Sequence, residues 1–196
     1  MTETDPRPVY AAATAWASAL MSSVAPVHLT ERTPCPDFDV MTLSGHLSGT
    51  AQRVVALAEG TDIDSISMSN RFHDVAIYRD NVRSACALWS EDALLEAPLT
   101  VPWGVVPGAA ALWGFVNETL VHGWDLAVAT GQESEAPSGL AEAALPMAQI
   151  FITDELRGAG APFGTAVPSR PGAAATEVLA NWNGRRSADW VTVARS

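Results

Sequence analysis

An all-α helical bundle is the fold class this sequence predicts, and three observations predict it. Apolar residues recur at spacings of three and four over several long stretches, and Pro or Gly punctuates the ends of those stretches. Apolar residues also make up 48% of the 196 residues against 17% charged, enough hydrocarbon to close one core. The first stretch, Pro8 to Val24, places Pro8 in a first turn and Pro26 just past the end. Its alanine-rich middle comes after the acidic opening MTETDPRPVY, which has no cationic n-region, so it reads as a helix and not as a secretory signal. The connector HLTERTPCPDFD is stiffened by Pro34 and Pro36, and Asp37 or Asp39 can cap the next helix. That second helix, Val40 to Glu59, carries Val40, Leu43, Leu47, Val54 and Ala58 on one stripe and stops at Gly60. A third, Asp74 to Trp89, repeats Val75, Tyr78, Val82, Ala85 and Trp89 as a bundle seam.

The segment APLTVPWGVVPG is a short β-like run broken by Pro and Gly, read as a loop or small hairpin. From Ala109 to Thr130 the fourth helix is apolar on both sides, which predicts a central position, and Gly131 ends it. A further helix spans Ser138 to Leu156, with Pro146 kinking or dividing it. The tail is a long loop, a short helix and an aromatic anchor at Trp190. The domain reading is a helical bundle with a metal site over 1–157, with residues 158–196 as a C-terminal loop and short helix packing on it.

Charge excludes one class of partner. The 22 acidic residues outnumber 11 basic ones, all arginine, and a net charge of -11 repels a phosphate backbone, so no nucleic acid is expected. The most apolar window, Val101 to Val121, is interrupted by Pro and Gly, so no membrane partner is expected and the localisation reading is cytoplasmic. Cys35 and Cys86 have no CxxC spacing and are read as reduced, packing thiols.

The chemistry concentrates on the central helix. Glu118 and His122 stand four apart on one face, and Asp125 lies within about 20° of Glu118 on a helical wheel. A carboxylate on a buried stripe needs compensation, which a cation supplies. His46 on the second helix, flanked by Gly45 and Gly49 that let a helix or ligand approach, is the third candidate ligand. The same spacing fits a hydrogen-bonded buried pair with no metal.

TPCPDFDVMTLSGHL and PWGVVPGAAALWGFVNETLVHGWDLAVATGQ resemble the actinobacterial branch of the DinB/YfiT-like metalloprotein superfamily, in particular proteins similar to mycothiol-dependent maleylpyruvate isomerase. The likeness runs from Thr33 to Gln132, with a weaker echo at GRRSADW. It implies a DinB-like four-helix bundle with a short C-terminal extension, with His46, Glu118 and His122 as ligands of a divalent metal, zinc being favoured. It implies mycothiol as co-substrate and thiol transfer to, or isomerisation of, a small electrophilic molecule. The chain is too short for the larger C-terminal domain of the isomerase. Where the family motif reads Gly-Arg-Asp, Arg186 follows Arg185, so no substrate-anchoring role is assigned to either and both are read as surface arginines.

Beside the ligands, Asp125 orients a ligand histidine or holds substrate, or else braces the second helix through Arg53. Trp103, on the proline-rich loop, is the candidate substrate contact, while Trp113 and Trp124 line a cavity or fill core. His73 and His28 are read as solvated. A metal enzyme working through water activation or substrate chelation, and a non-catalytic binding bundle, stand as the alternatives, and the broad apolar helix faces leave room for a homodimer.

Overall fold

A computed structural model describes residues 5–102, 104–158 and 163–191. Helix α1, Pro6–Ser22, begins two residues before the sequence pattern places it because the Asp5 carboxylate accepts from Arg7 N at 2.9 Å and caps it. Helix α2, Val40–Glu59, has the bounds read from the sequence. Asp39 accepts from Thr42 N at 2.8 Å at its start, and Gly60, at φ 67°, closes it in the left-handed conformation. Asp74 caps α3, Val75–Leu88, through the amides of Ala76 and Ile77.

A single-turn helix α4, Ala93–Glu96, leads into a hairpin of β1, Pro98–Val101, and β2, Gly104–Pro107, paired antiparallel with Val101 opposite Gly104. The described residues are therefore mostly helical with one two-stranded sheet among them, and the hairpin falls where the Pro- and Gly-rich run lies. Helix α5, Gly108–Ala129, comes directly after it. Helix α6, Leu140–Phe151, accommodates Pro146 without dividing, and a separate 3-10 turn at Asp154–Leu156 takes the residues that the sequence pattern joins to it. Helix α7, Ala175–Trp182, lies in the C-terminal extension.

Helices α1, α2, α3 and α5 close a ring, with α1 on α5 and α3, and α2 on α3 and α5. Helix α5 also meets α6 and α7 and so is central, as its two apolar sides require. Leu112, Val116, Leu120 and Trp124 along it are fully buried, each contributing about 1.5–3 kcal/mol of transfer free energy if aliphatic. Trp113 and Trp124 both serve the core. Gly123 lets α1 press close, for a Cβ there would overlap the Trp16 ring. Trp89 donates its indole N–H to the Val54 carbonyl at 2.9 Å, tying the end of α3 to α2. Among the described residues no helix is long and apolar enough to cross a membrane.

Candidate metal centre

Where α2 crosses α5, His46 meets Glu118 and His122. His46 Nε2 is 3.4 Å from Glu118 Oε2, and His122 Nε2 is 3.3 Å from the same oxygen. One ligand atom from each lies within 4.8 Å of the other two. The imidazole rings are edge to face, 4.4 Å between centroids. The i,i+4 spacing on α5 puts two of these groups on one face, and α2 supplies the third from across the interface.

The back of each ring is anchored. His46 Nδ1 donates to the Met68 carbonyl at 2.8 Å, and His122 Nδ1 donates to Asp125 Oδ2 at 3.0 Å. Both partners only accept, so each Nδ1 carries a ring proton and each Nε2 faces forward, toward Glu118. The Met68 contact depends on the small residues of α2. A Cβ at Gly45 would overlap the Asn70 carbonyl and one at Gly49 would sit 2.8 Å from Ser67 O, so the segment 66–72 lies flush on the helix. The approach those glycines permit is that of this segment.

Asp125 is fully buried, and its partner is Arg185 rather than Arg53. Arg185 Nη2 donates to Asp125 Oδ2 at 2.8 Å and Nε to Oδ1 at 3.2 Å, a two-pronged pairing. The reading of Arg185 as a surface residue is thereby overturned: its side chain is only 14% exposed because α7 and the loop after it fold over the end of α5. Arg186 does stay exposed, paired with Asp189. Arg53 instead donates to the Ile66 carbonyl at 3.1 Å.

These contacts set the charges. Burial alone would raise the Asp125 carboxyl, but the Arg185 and His122 charges overcome it and hold the group below the ordinary range. Burial likewise disfavours the Glu118 anion, yet hydrogen bonds from His122 and His46 hold it well below the usual value. For His122, burial lowers the pKa while Asp125 and Glu118 outweigh it, with a net upward shift. Burial pushes the Cys35 thiol up to about 11, so it is an unreactive wall residue at neutral pH.

The cluster lines a cavity of about 390 Å³, in the size range of small-molecule sites, with apolar walls that include Phe38, Phe115, Val121 and Phe151. Asn117 and Asn183 line it too and exchange two amide hydrogen bonds of 2.9 Å, which ties the C-terminal extension to α5. Trp103 lies outside the described residues. His73 is half-buried, not solvated, because its Nδ1 meets Ser44 Oγ at 3.0 Å, and it stands apart from the cluster. His28, in its 3-10 turn, is partly covered. Met68, Arg53, Thr50 and Asn183 carry no sequence signal that assigns them to the site. Only the Gly45 and Gly49 pair signals a close approach near His46.

Fold and site together define a mostly helical protein in which three side chains that could hold a metal ion line an apolar cavity. The chain is similar to two proteins of Mycobacterium tuberculosis, MT0763 of strain CDC 1551 / Oshkosh and Rv0738 of strain ATCC 25618 / H37Rv, both described as uncharacterized. Each is 28% identical over 151 residues, covering 77% of this chain and 81% of the relative. No family model matches the chain, and no solved structure matches it.

Proposed function

We propose that the chain is a metal-dependent enzyme of the DinB-like four-helix type, in which His46, Glu118 and His122 hold a divalent ion, with zinc favoured. Its proposed reaction uses a low-molecular-weight thiol, mycothiol in the family the sequence resembles, to modify or isomerise a small electrophilic substrate. One observation carries the metal reading. Two imidazole Nε2 atoms and a carboxylate oxygen converge, while both Nδ1 atoms are engaged behind. Such a set repels itself unless a proton or a cation sits at its focus, and two nitrogens with one oxygen suit zinc.

When bound, a divalent cation supplies Lewis acidity that favours the deprotonated form of a thiol or water beside it. The chain's own residues do the rest. Arg185 keeps Asp125 ionised, and Asp125 holds the His122 proton at Nδ1 so that Nε2 faces forward. The Met68 carbonyl does the same for His46. The walls formed by Phe38, Phe115 and Val121 thin the water around a bound molecule and strengthen every polar contact it makes. A small molecule and a thiol are the partners in this reading, in the cytoplasm, with a homodimer as the assembly it accommodates.

Elemental analysis of wild-type protein beside His122→Ala tests the centre. The expected result is about one zinc per chain in wild type and its loss in the variant, with a chelator-sensitive melting temperature only in wild type. A metal-free wild-type protein indifferent to chelator leaves a polar core network and a binding role instead. Turnover of a generic electrophile that requires added thiol supports the thiol reading. Turnover indifferent to thiol moves the assignment to water activation or substrate chelation.

A further inference from the structure

Phe38 lies against both imidazoles of the cluster. Its ring centroid is 5.0 Å from that of His46 and 6.4 Å from that of His122, with the planes tilted at 45° and 43°. The same side chain lines the cavity that holds His46, Glu118 and His122. Of these three rings it is the one with no atom that can bind a cation or form an ordinary hydrogen bond to water.

The chain fixes that ring in place just before α2 begins. The Thr33 hydroxyl lies 3.0 Å from the Cys35 carbonyl and 2.8 Å from the Phe38 carbonyl, and Phe38 N donates to the Cys35 carbonyl at 3.1 Å. Two residues on, Val40 N donates to the Glu31 carbonyl at 3.0 Å, and Asp39 between them caps α2. The ring therefore comes from a turn tied down on both sides, and it packs on the apolar cluster that includes Val40 and Leu43. The flank on α5 is apolar as well. Phe115 and Val121 stand three residues before and after Glu118, on its face of the helix, and both line the cavity.

A cation held by three protein groups takes its remaining ligands from water or substrate. Each bound water needs acceptors around it, and beside a phenyl ring it finds none. Zinc is stable with one such position, whereas nickel prefers a tetragonal set that needs more. We infer that Phe38 is a positioning residue for the metal: it closes one side of the cluster, holds the bound cation at a low coordination number and so selects zinc over nickel. This role of Phe38 rests on the metal-centre reading. The three ligands alone leave the choice of metal open, since the same donors with more free positions suit nickel or iron.

Cobalt substitution reads the coordination number, because four-coordinate cobalt(II) absorbs visible light strongly and six-coordinate cobalt(II) weakly. The full chain, stripped with chelator and reloaded with cobalt, is expected to show the strong band in wild type and in Phe38→Leu, which keeps apolar bulk, and the weak one in Phe38→Ala. Competition between the two metals is expected to shift about tenfold from zinc toward nickel in Phe38→Ala. Circular dichroism verifies that each variant is folded, and the wild-type spectrum tests the low coordination number without any variant. A weak band in wild type overturns the assignment, as do a strong band and an unchanged zinc-to-nickel ratio in folded Phe38→Ala. Wild type that binds neither cobalt nor zinc overturns the metal-centre reading itself, a result distinct from a cobalt-loaded protein whose spectrum Phe38→Ala leaves untouched.

Discussion

Asp125 Oδ2 stands 3.0 Å from His122 Nδ1, one turn along the same helix, and both residues are almost wholly buried. That oxygen also accepts from Arg185 Nη2 at 2.8 Å. The orientation of a candidate metal ligand on α5 therefore depends on an arginine 60 residues further along the chain. The C-terminal extension completes the site from behind.

Removing the Asp125 charge leaves the Arg185 guanidinium buried and uncompensated. Asp125→Asn is expected to lower the unfolding free energy by about 3–5 kcal/mol, read from urea denaturation. Asp125→Leu combined with Arg185→Met removes both charges and is expected to cost less than Asp125→Asn alone. Zinc affinity of Asp125→Asn is expected to fall about 10–100-fold because the His122 ring loses its anionic anchor. Unchanged stability together with unchanged zinc affinity contradicts this account of the pair.

The upward shift of His122 gives a direction to the pH dependence. In metal-free protein the ring keeps its second proton to a pH above the ordinary value of about 6.5, so the stability its charge contributes is complete below that value. It is lost as pH rises through the raised folded pKa. Zinc needs the same nitrogen free, so it competes with this proton, and its dissociation constant is expected to rise about tenfold per pH unit on the acid side of that pKa. Competition against a chromophoric chelator across the neutral range reads this slope. A flat profile means that no histidine proton is displaced.

Helix-level features were legible because they are local. The cap from the Asp37 or Asp39 pair, the Gly60 stop and the two apolar sides of α5 act within one turn or one wheel, and the grouping of His46, Glu118 and His122 follows from i,i+4 spacing plus one more stripe, whereas Asp74, read as the first residue of α3, is its cap. Arg185 was misjudged for the opposite reason. Nothing in GRRSADW says which of two adjacent arginines turns inward, since that is decided by how the loop after α7 folds over α5. The Met68 carbonyl was invisible because a backbone oxygen has no residue-type signature, and His73 looked solvated until α2 supplied Ser44.

The reciprocal Asn117 and Asn183 amides, each 1% exposed, give a separate test of how the extension holds the bundle. Asn117→Leu leaves Asn183 with its remaining bond to the Leu179 carbonyl and an unmet carbonyl oxygen in an apolar wall. A loss of about 1–3 kcal/mol in denaturant unfolding is expected. Replacing both residues by Leu removes the unmet group and is expected to recover part of that loss. A double variant weaker than the sum of the two single ones excludes this pairing as the source.

The glycines of α2 give the sharpest test because two principles oppose each other in sign. An alanine in a helix interior stabilises it by about 0.5–1 kcal/mol relative to glycine, so Gly45→Ala and Gly49→Ala should both strengthen α2 taken alone. The fold predicts otherwise: the new methyl at Gly45 overlaps the Asn70 carbonyl, and that at Gly49 meets Ser67 O at 2.8 Å. To relieve either contact the segment 66–72 must lift, carrying the Met68 carbonyl away from His46 Nδ1. Gly45→Ala is therefore expected to lose about 1–3 kcal/mol from overpacking and about tenfold or more in zinc affinity, with Gly49→Ala milder in both. Thermal melts with and without zinc separate the two losses. If Gly45→Ala melts higher than wild type and binds zinc as well, the segment does not hold His46, and its Nδ1 proton must be fixed by another acceptor.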